Sequence, residues 1–419
     1  MLDVATAIAN ARARDPSLHA LITPCLDAAL VRDAELAAVT TRGALHRVPY
    51  TLKDVWDVAG LPTTFGHRPF ADRIATRSGA IHRALEAAGA VLIGKTNLSD
   101  LGVTPECASY AGVTCNPHDP LRTSGGSSGG AAAAVASGMS AFDWGSDFGG
   151  SIRLPAAWCG VVGLRLSTAA WPLPEDDRTR PLPGADGLLA MGPIARNLAT
   201  CRRVIDAVAP RLSVGRRDFD VKGVLWVAPD RFAYGMLDGF ERTLRDRLAR
   251  LGLPIGPAPL PSPRAFDRAF TALIASRAPR ILAALGDPTE PRSTWLRRAR
   301  QLHPQSARVY AELSLLHLRH RDEASAWARV LELRRRAHPL FDAGLVLAMP
   351  TSGHSAPRLG TALSTRGAGA FVKIANLLDA TDLSVPFGRF DDGMPRGLSL
   401  VGPPGSERAL IELAQALTD

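Results

Sequence analysis

Lysine is nearly absent from this chain. Only four of its 49 basic residues are lysines (Lys53, Lys95, Lys222 and Lys373), so the formal net charge of +9 rests on arginines spread along most of the sequence. A nucleic-acid-binding surface would gather its cations into a patch or stripe. The densest stretch, Arg292 to Arg336, holds 11 arginines, but Glu312, Asp322, Glu323 and Glu332 are interleaved among them. Their spacing is that of the solvated faces of amphipathic helices, and no nucleic-acid partner is expected. The five cysteines (Cys25, Cys107, Cys115, Cys159 and Cys201) are odd in number and never spaced as CxxC, which argues against a disulfide framework and against a zinc site. No HExxH occurs, and the close pair His317 and His320 sits in an arginine-rich helical region, where packed or solvated histidines are expected. No metal and no cofactor are expected. Long apolar runs are missing too: the longest uncharged stretch, Thr123 to Phe142, is built of Gly, Ser and Ala rather than Leu or Ile. The opening MLDVATAIANARARD has an early acid and no basic-then-apolar run, so no secretory leader is read, no membrane association is expected and the cytoplasm is the expected compartment.

What is present is an ordinary globular composition, 46% hydrophobic and 21% charged over 419 residues, enough for a large core. Residues 1–40 read as two helices around a DPS turn at 15–17. From residue 46 short apolar runs (VPYTL, AVLIG, FDWGS, VLWVA, GLVLAMP, LSVPFG, GLSLVG) alternate with Ala-rich helical stretches such as SGAIHRALEAAGA. That alternation predicts an α/β fold, one large domain over 1–419 with a mixed sheet covered by helices on both faces. Residues 210–340 are mainly helical and read as a cap over the sheet, and PLPEDDRTRPLPGADG at 172–187 reads as a surface loop.

Two short motifs mislead. GAVLIGKT, residues 89–96, satisfies GxxxxGK[ST], yet Ala90 to Ile93 is itself strand-like, whereas a phosphate-binding loop needs a turn there. Gly125, Ser127 and Gly129 satisfy GxSxG, but the preceding NPHDPLRT is polar and turn-forming, not the buried strand of a nucleophile elbow. The same SGGSSGG run (124–130) is not a linker either, because it opens directly into the helix former AAAAVASGM. A second Gly/Ser site, DFGGSIRLP (147–155), follows. Its two glycines let the backbone bend and aim successive N–H groups into one volume, as an oxyanion hole requires, and Ser151 opens a segment that can be helical. Lys53, just after an apolar strand, would serve as a base if burial kept it neutral. Arginine could not.

Together, LKDVWDVAGLPTT, GKTNLSDL, NPHDPLRTSGGSSGGAAAAVASG and GSDFGGSIRLPAAWCGVVGL resemble the amidase signature family over residues 43–207, the signature core. LVLAMPT, NLLDATDLSVPFG and DGMPRGLSLVGPPGSERALIELAQAL resemble that family's closing segments. The resemblance implies the amidase signature fold and a Ser-cisSer-Lys triad: Ser151 as nucleophile, Ser127 after a cis peptide from Gly126 as proton relay, and Lys53 as base. It implies an oxyanion hole from the backbone N–H groups of Phe148, Gly149, Gly150 and Ser151. Gly126, Ser128, Asp147 and Arg153 match supporting positions, although helix capping or surface pairing would also account for Ser128, Asp147 and Arg153. Where many relatives carry Thr or Ile this chain has Phe148, and Trp144 stands for a small aliphatic residue, so altered packing is expected there. The implied activity is hydrolysis of a small carboxamide or an aryl or alkyl amide through an acyl-enzyme, with residues 210–340 shaping the substrate pocket. Two alternatives stand beside it: the amidase component of a glutamine-dependent amidotransferase, which needs a partner, and a family member recruited as a non-catalytic binding protein. A homodimer is left open.

Overall fold

The computed structural model describes residues 2–175, 187–212, 214, 217–229, 239–283, 300–365, 367 and 369–418. An 11-stranded mixed sheet runs through it in the order Leu21–Pro24, Val91–Thr96, Pro49–Lys53, Phe142–Asp147, Ala190–Ala195, Val162–Arg165, Thr381–Arg389, Pro395–Gly402, Leu345–Pro350, Gly223–Trp226 and Ile255–Pro257. Pro49–Lys53 is parallel to both of its neighbours, and Gly223–Trp226 to both of its own; every other pairing in the sheet is antiparallel. Pro49–Lys53 and Phe142–Asp147 are buried along their whole length, as strands covered on both faces are, even where they carry polar residues. Along Leu345–Pro350, Val346 and Ala348 join one apolar cluster and Leu347 and Met349 another, the two-residue period of a strand covered on both sides. The first cluster includes the helices Leu198–Val208 and Glu407–Thr418; the second includes Pro263–Ser276, Glu323–Asp342 and Val372–Leu378.

All seven apolar runs singled out above are strands. Four more strands of this sheet were not anticipated. Ala190–Ala195 contains Gly192 and Pro193, which sequence rules place at edges, yet it pairs on both sides. A Cβ at Gly192 would sit 2.0 Å from the Leu164 carbonyl oxygen, so packing of the neighbouring strand selects the glycine. Val162–Arg165 and Ile255–Pro257 are too short to show a period. The fourth, Leu21–Pro24, corrects the N-terminal reading: the first helix, Val4–Leu18, runs through Pro16 with no turn at 15–17. Pro16 is tolerated so near the helix end, where Asp15 Oδ1 accepts the Ala20 and Leu21 N–H groups at 2.7 and 3.0 Å and turns the chain into the strand.

The middle region contains the helices Phe240–Arg250, Pro263–Ser276, Ala278–Ala283, Pro304–His317 and Glu323–Asp342, and it extends the sheet by Gly223–Trp226 and Ile255–Pro257. Arg308, Arg319, Arg321, Arg329, Arg335 and Arg336 are exposed, several paired with Glu312 or Glu332, as solvated helix faces should be. Arg292, Arg297 and Arg298, together with most of the loop at 172–187, lie outside the described residues. His317 Nδ1 lies 2.9 Å from the Ala275 carbonyl, in helix packing. Among the described residues no group of His, Cys, Asp and Glu is arranged to hold a metal, and no helix is long and apolar enough to cross a membrane.

Candidate active site

Three neighbouring parallel strands, Val91–Thr96, Pro49–Lys53 and Phe142–Asp147, end on the same side of the sheet. In such sheets the carboxyl ends of the strands are where ligands bind. Lys53 closes the middle strand and pairs in register with Thr96, while Asp147 closes the third and leads into Phe148 to Ser151. This topology gathers at one edge the residues singled out from the sequence.

Lys53 is 1% exposed. Its Nζ donates to Ser127 Oγ at 2.7 Å, to Ser146 Oγ at 3.0 Å and to the Ser146 carbonyl at 3.3 Å. Burial disfavours the ammonium ion and pulls its pKa down to about 7, against the opposing pull of Asp147 and Asp143. Asp143, also fully buried, accepts from Thr96 Oγ1 at 3.0 Å and is pushed up to about 6 by the same desolvation. The Gly126–Ser127 peptide is cis. The Ser127 carbonyl accepts the Ser99 N–H at 3.2 Å, and the Ser128 N–H donates to the Ser151 carbonyl at 3.1 Å, joining the two Gly/Ser loops.

Asp147 organises the second loop. Its Oδ1 accepts the Gly150 N–H at 2.9 Å and its Oδ2 the Ile152 N–H at 3.0 Å. Arg153 Nε and Nη2 donate to the same carboxylate at 3.0 and 2.8 Å. Burial alone would raise the Asp147 carboxyl, but the Arg153 and Arg165 guanidinium groups hold it well below the usual carboxylate range. Gly150 has φ +106°, and a Cβ there would lie 2.2 Å from Val372 Cγ2, so only glycine fits this bend. Ser151 emerges from it with 9% exposure and lines a cavity of about 400 Å³. Phe148, Gly149 and Gly126 share that wall, and Phe270, Ile274 and Leu313 from the middle region stand among the other lining residues.

The family model for amidases matches residues 4–218 and 236–411. The chain belongs to the amidase signature family. It is 32% identical to the putative amidase AmiA2 of Mycobacterium tuberculosis (strain ATCC 25618 / H37Rv), over 96% of this chain and 86% of the relative. It is 30% identical to a glutamyl-tRNA(Gln) amidotransferase subunit of Anaeromyxobacter dehalogenans (strain 2CP-C), over 99% of this chain and 91% of that one. A crystal structure of an amidase superposes with a TM-score of 0.78 at 28% identity, covering 99% of this chain and 94% of the other. This amidase is an amide-hydrolysing enzyme with the amidase signature fold.

Three details refine the sequence reading of the amidase. The Gly150 N–H is taken by Asp147, whereas among the described residues those of Phe148, Gly149 and Ser151 donate to no other group. Asp147 and Arg153 are both completely buried, so neither is a surface pair, and the Ser128 hydroxyl reaches the Ser146 carbonyl at 3.4 Å instead of capping its helix. NPHDPLRT is partly extended: Asp119–Thr123 pairs with Cys115–Asn116 in a small separate ladder and not in the central sheet, so the elbow geometry is still absent. In the GxxxxGK[ST] look-alike, Val91–Thr96 is a strand and buried Lys95 pairs with Asp54 at 2.7 Å.

Sequence reasoning missed Ser146, Asn376 and Asp382. Arg153 Nη1 donates to Asp382 Oδ2 at 2.6 Å and to the Val372 carbonyl at 2.5 Å; its Nη2 donates to Asn376 Oδ1 at 2.6 Å, and Asn376 Nδ2 donates to Asp147 Oδ1 at 3.0 Å. A signal for the last two existed: a polar residue inside an apolar helix (VKIANLL) and another inside an apolar strand (TDLSVPFG) need buried partners. Trp144 is fully buried 6.4 Å from Trp171, and Phe148 packs edge-on against Phe270 at 5.6 Å.

Proposed function

We propose that this enzyme hydrolyses a small uncharged carboxamide or aryl or alkyl amide through an acyl-enzyme on Ser151, with Ser127 as relay and Lys53 as base. The observation that carries the reading is the buried Lys53 Nζ, with its lowered proton affinity, 2.7 Å from Ser127 Oγ behind a cavity lined by Ser151. With Lys53 neutral, the Ser127 hydroxyl donates to the amine lone pair and takes the Ser151 proton as Ser151 Oγ attacks the amide carbon. The N–H groups of Phe148, Gly149 and Ser151 stabilise the oxyanion. As the tetrahedral adduct collapses, the Lys53 ammonium returns its proton through Ser127 to the departing nitrogen, leaving an ester on Ser151. Water, deprotonated by the same route, cleaves the ester and releases the carboxylate. No step calls for a metal or an organic cofactor.

The amidotransferase reading draws on the 30% identity to the Anaeromyxobacter protein. The apolar side chains Phe270, Ile274, Ile281, Val309 and Leu313 around the cavity favour an apolar amide over glutamine. Purified chain alone, offered neutral aryl and alkyl carboxamides beside glutamine, is expected to turn over the former. Release of ammonia from glutamine alone would support the other reading.

The pH dependence follows from the base. Protonated Lys53 cannot accept a proton, so kcat/KM climbs as pH rises through about 7 and levels above it. Well below that value the slope approaches tenfold per pH unit, as for any single protonation that switches off the active form. A flat profile from about pH 6 to 9 would remove Lys53 as the free base.

A further inference from the structure

The cavity beside Ser151 contains one compensated charge pair. Lys373, on the helix Val372–Leu378, is salt-bridged to Asp267, on the helix Pro263–Ser276. They are the only charged residues lining the cavity among the described residues. Lys373 Nζ also lies 5.4 Å from the centroid of the Phe270 ring, so a carboxylate and an aromatic face both satisfy the ammonium. The pair is partly shielded, its side chains 23% and 39% exposed for Lys373 and Asp267.

We propose that the Lys373–Asp267 pair makes the cavity electrically neutral and so selects uncharged amides, each partner cancelling the charge through which the other would hold an ionic substrate. The inference rests on the reading of Ser151 as the hydrolytic centre. A charged substrate entering an apolar cavity loses hydration and needs a counter-charge in return. A carboxylate finds Lys373 already paired and Asp267 repelling it; an ammonium meets the reverse. Selection therefore works through what the pair withholds, a form of discrimination by unpaired charge. Breaking the pair leaves one uncompensated charge, which a ligand of opposite sign can satisfy.

The test uses three amides of one shape that differ only in a neutral, carboxylate or ammonium group at the end remote from the scissile bond. Wild-type enzyme is expected to favour the neutral compound over either ion by about tenfold or more in kcat/KM, the size of a single modest charge interaction. Asp267→Asn raises the carboxylate-to-neutral ratio by about tenfold, and Lys373→Met raises the ammonium-to-neutral ratio similarly. The double variant returns both ratios to near the wild-type values. Each ratio is taken on one preparation, so loss of folded protein cancels. Calorimetric dissociation constants on Ser151→Ala protein give the same ratios even if no amide is hydrolysed; in that event the hydrolytic reading fails while charge selection stands or falls by itself. Arg366, between the lining residues Thr365 and Gly367 in sequence but outside the described residues, is replaced by Ala as a control. Ratios that follow Arg366→Ala and ignore the pair, or a wild-type preference for either ion, would overturn the proposal.

Discussion

Turnover of a neutral amide is expected to fall by about 10⁴-fold or more in Ser151→Ala, and by a comparable factor in Lys53→Met, with the protein still folded. Ser151→Ala removes the only hydroxyl that lines the cavity on the glycine bend, and a methyl group there disturbs nothing around it. Lys53→Met fills nearly the same buried volume without a proton acceptor. Because nucleophile and base act as one unit, the double variant should be little worse than either single one. Lys53→Arg separates two explanations of the lysine. A guanidinium stays protonated, so if Lys53 acts as a base the arginine variant is as inactive as the methionine one. If the site needs only a cation, arginine retains much of the rate. Steady-state kinetics on the wild type and the four variants, with circular dichroism to confirm folding, decides between them.

Arg153→Met is expected to destabilise the fold by about 3–5 kcal/mol, the cost of breaking a buried ion pair by removing one partner. Arg153 is completely buried and faces two carboxylates, Asp147 and Asp382, both also completely buried. Its loss leaves the Asp382 carboxylate without its ion-pair partner, leaves Asp147 only the more distant Arg165 at 3.9 Å, and takes from the Val372 carbonyl and Asn376 Oδ1 a donor they now have. Part of the cost should return in Arg153→Met combined with Asp382→Asn, which removes one stranded charge. Urea unfolding midpoints measure both. A change below about 1 kcal/mol for the single variant would mean that the network contributes little to holding the Ser151 loop.

The same network marks where reading the sequence stopped. Lys53, Ser127 and Ser151 could be singled out as candidates because glycine-rich loops and a rare lysine after an apolar strand leave local traces. That the Gly150 N–H donates to Asp147, three residues earlier, was not legible, because which N–H a carboxylate takes depends on the bend itself. Asn376 and Asp382 lie more than 200 residues from Arg153, and only the pairing of Thr381–Arg389 with Val162–Arg165 brings that segment beneath the Ser151 loop. The sheet followed the same rule. Runs such as LVLAMP announced themselves by unbroken apolarity, whereas Ala190–Ala195 is a strand despite Gly192 and Pro193, held by neighbours on both sides. Local chemistry was readable; contacts imposed by distant segments were not.

The central claim is that Ser151 is an activated nucleophile driven by Lys53. Intact-mass spectrometry after incubation with a fluorophosphonate tests it directly, since attack by a serine oxygen displaces fluoride and leaves a stable phosphonyl ester. The account predicts a single adduct on the wild-type protein, none on Ser151→Ala, and much slower labelling of Lys53→Met. An adduct that persists in folded Ser151→Ala, or no adduct on folded wild type, would contradict it.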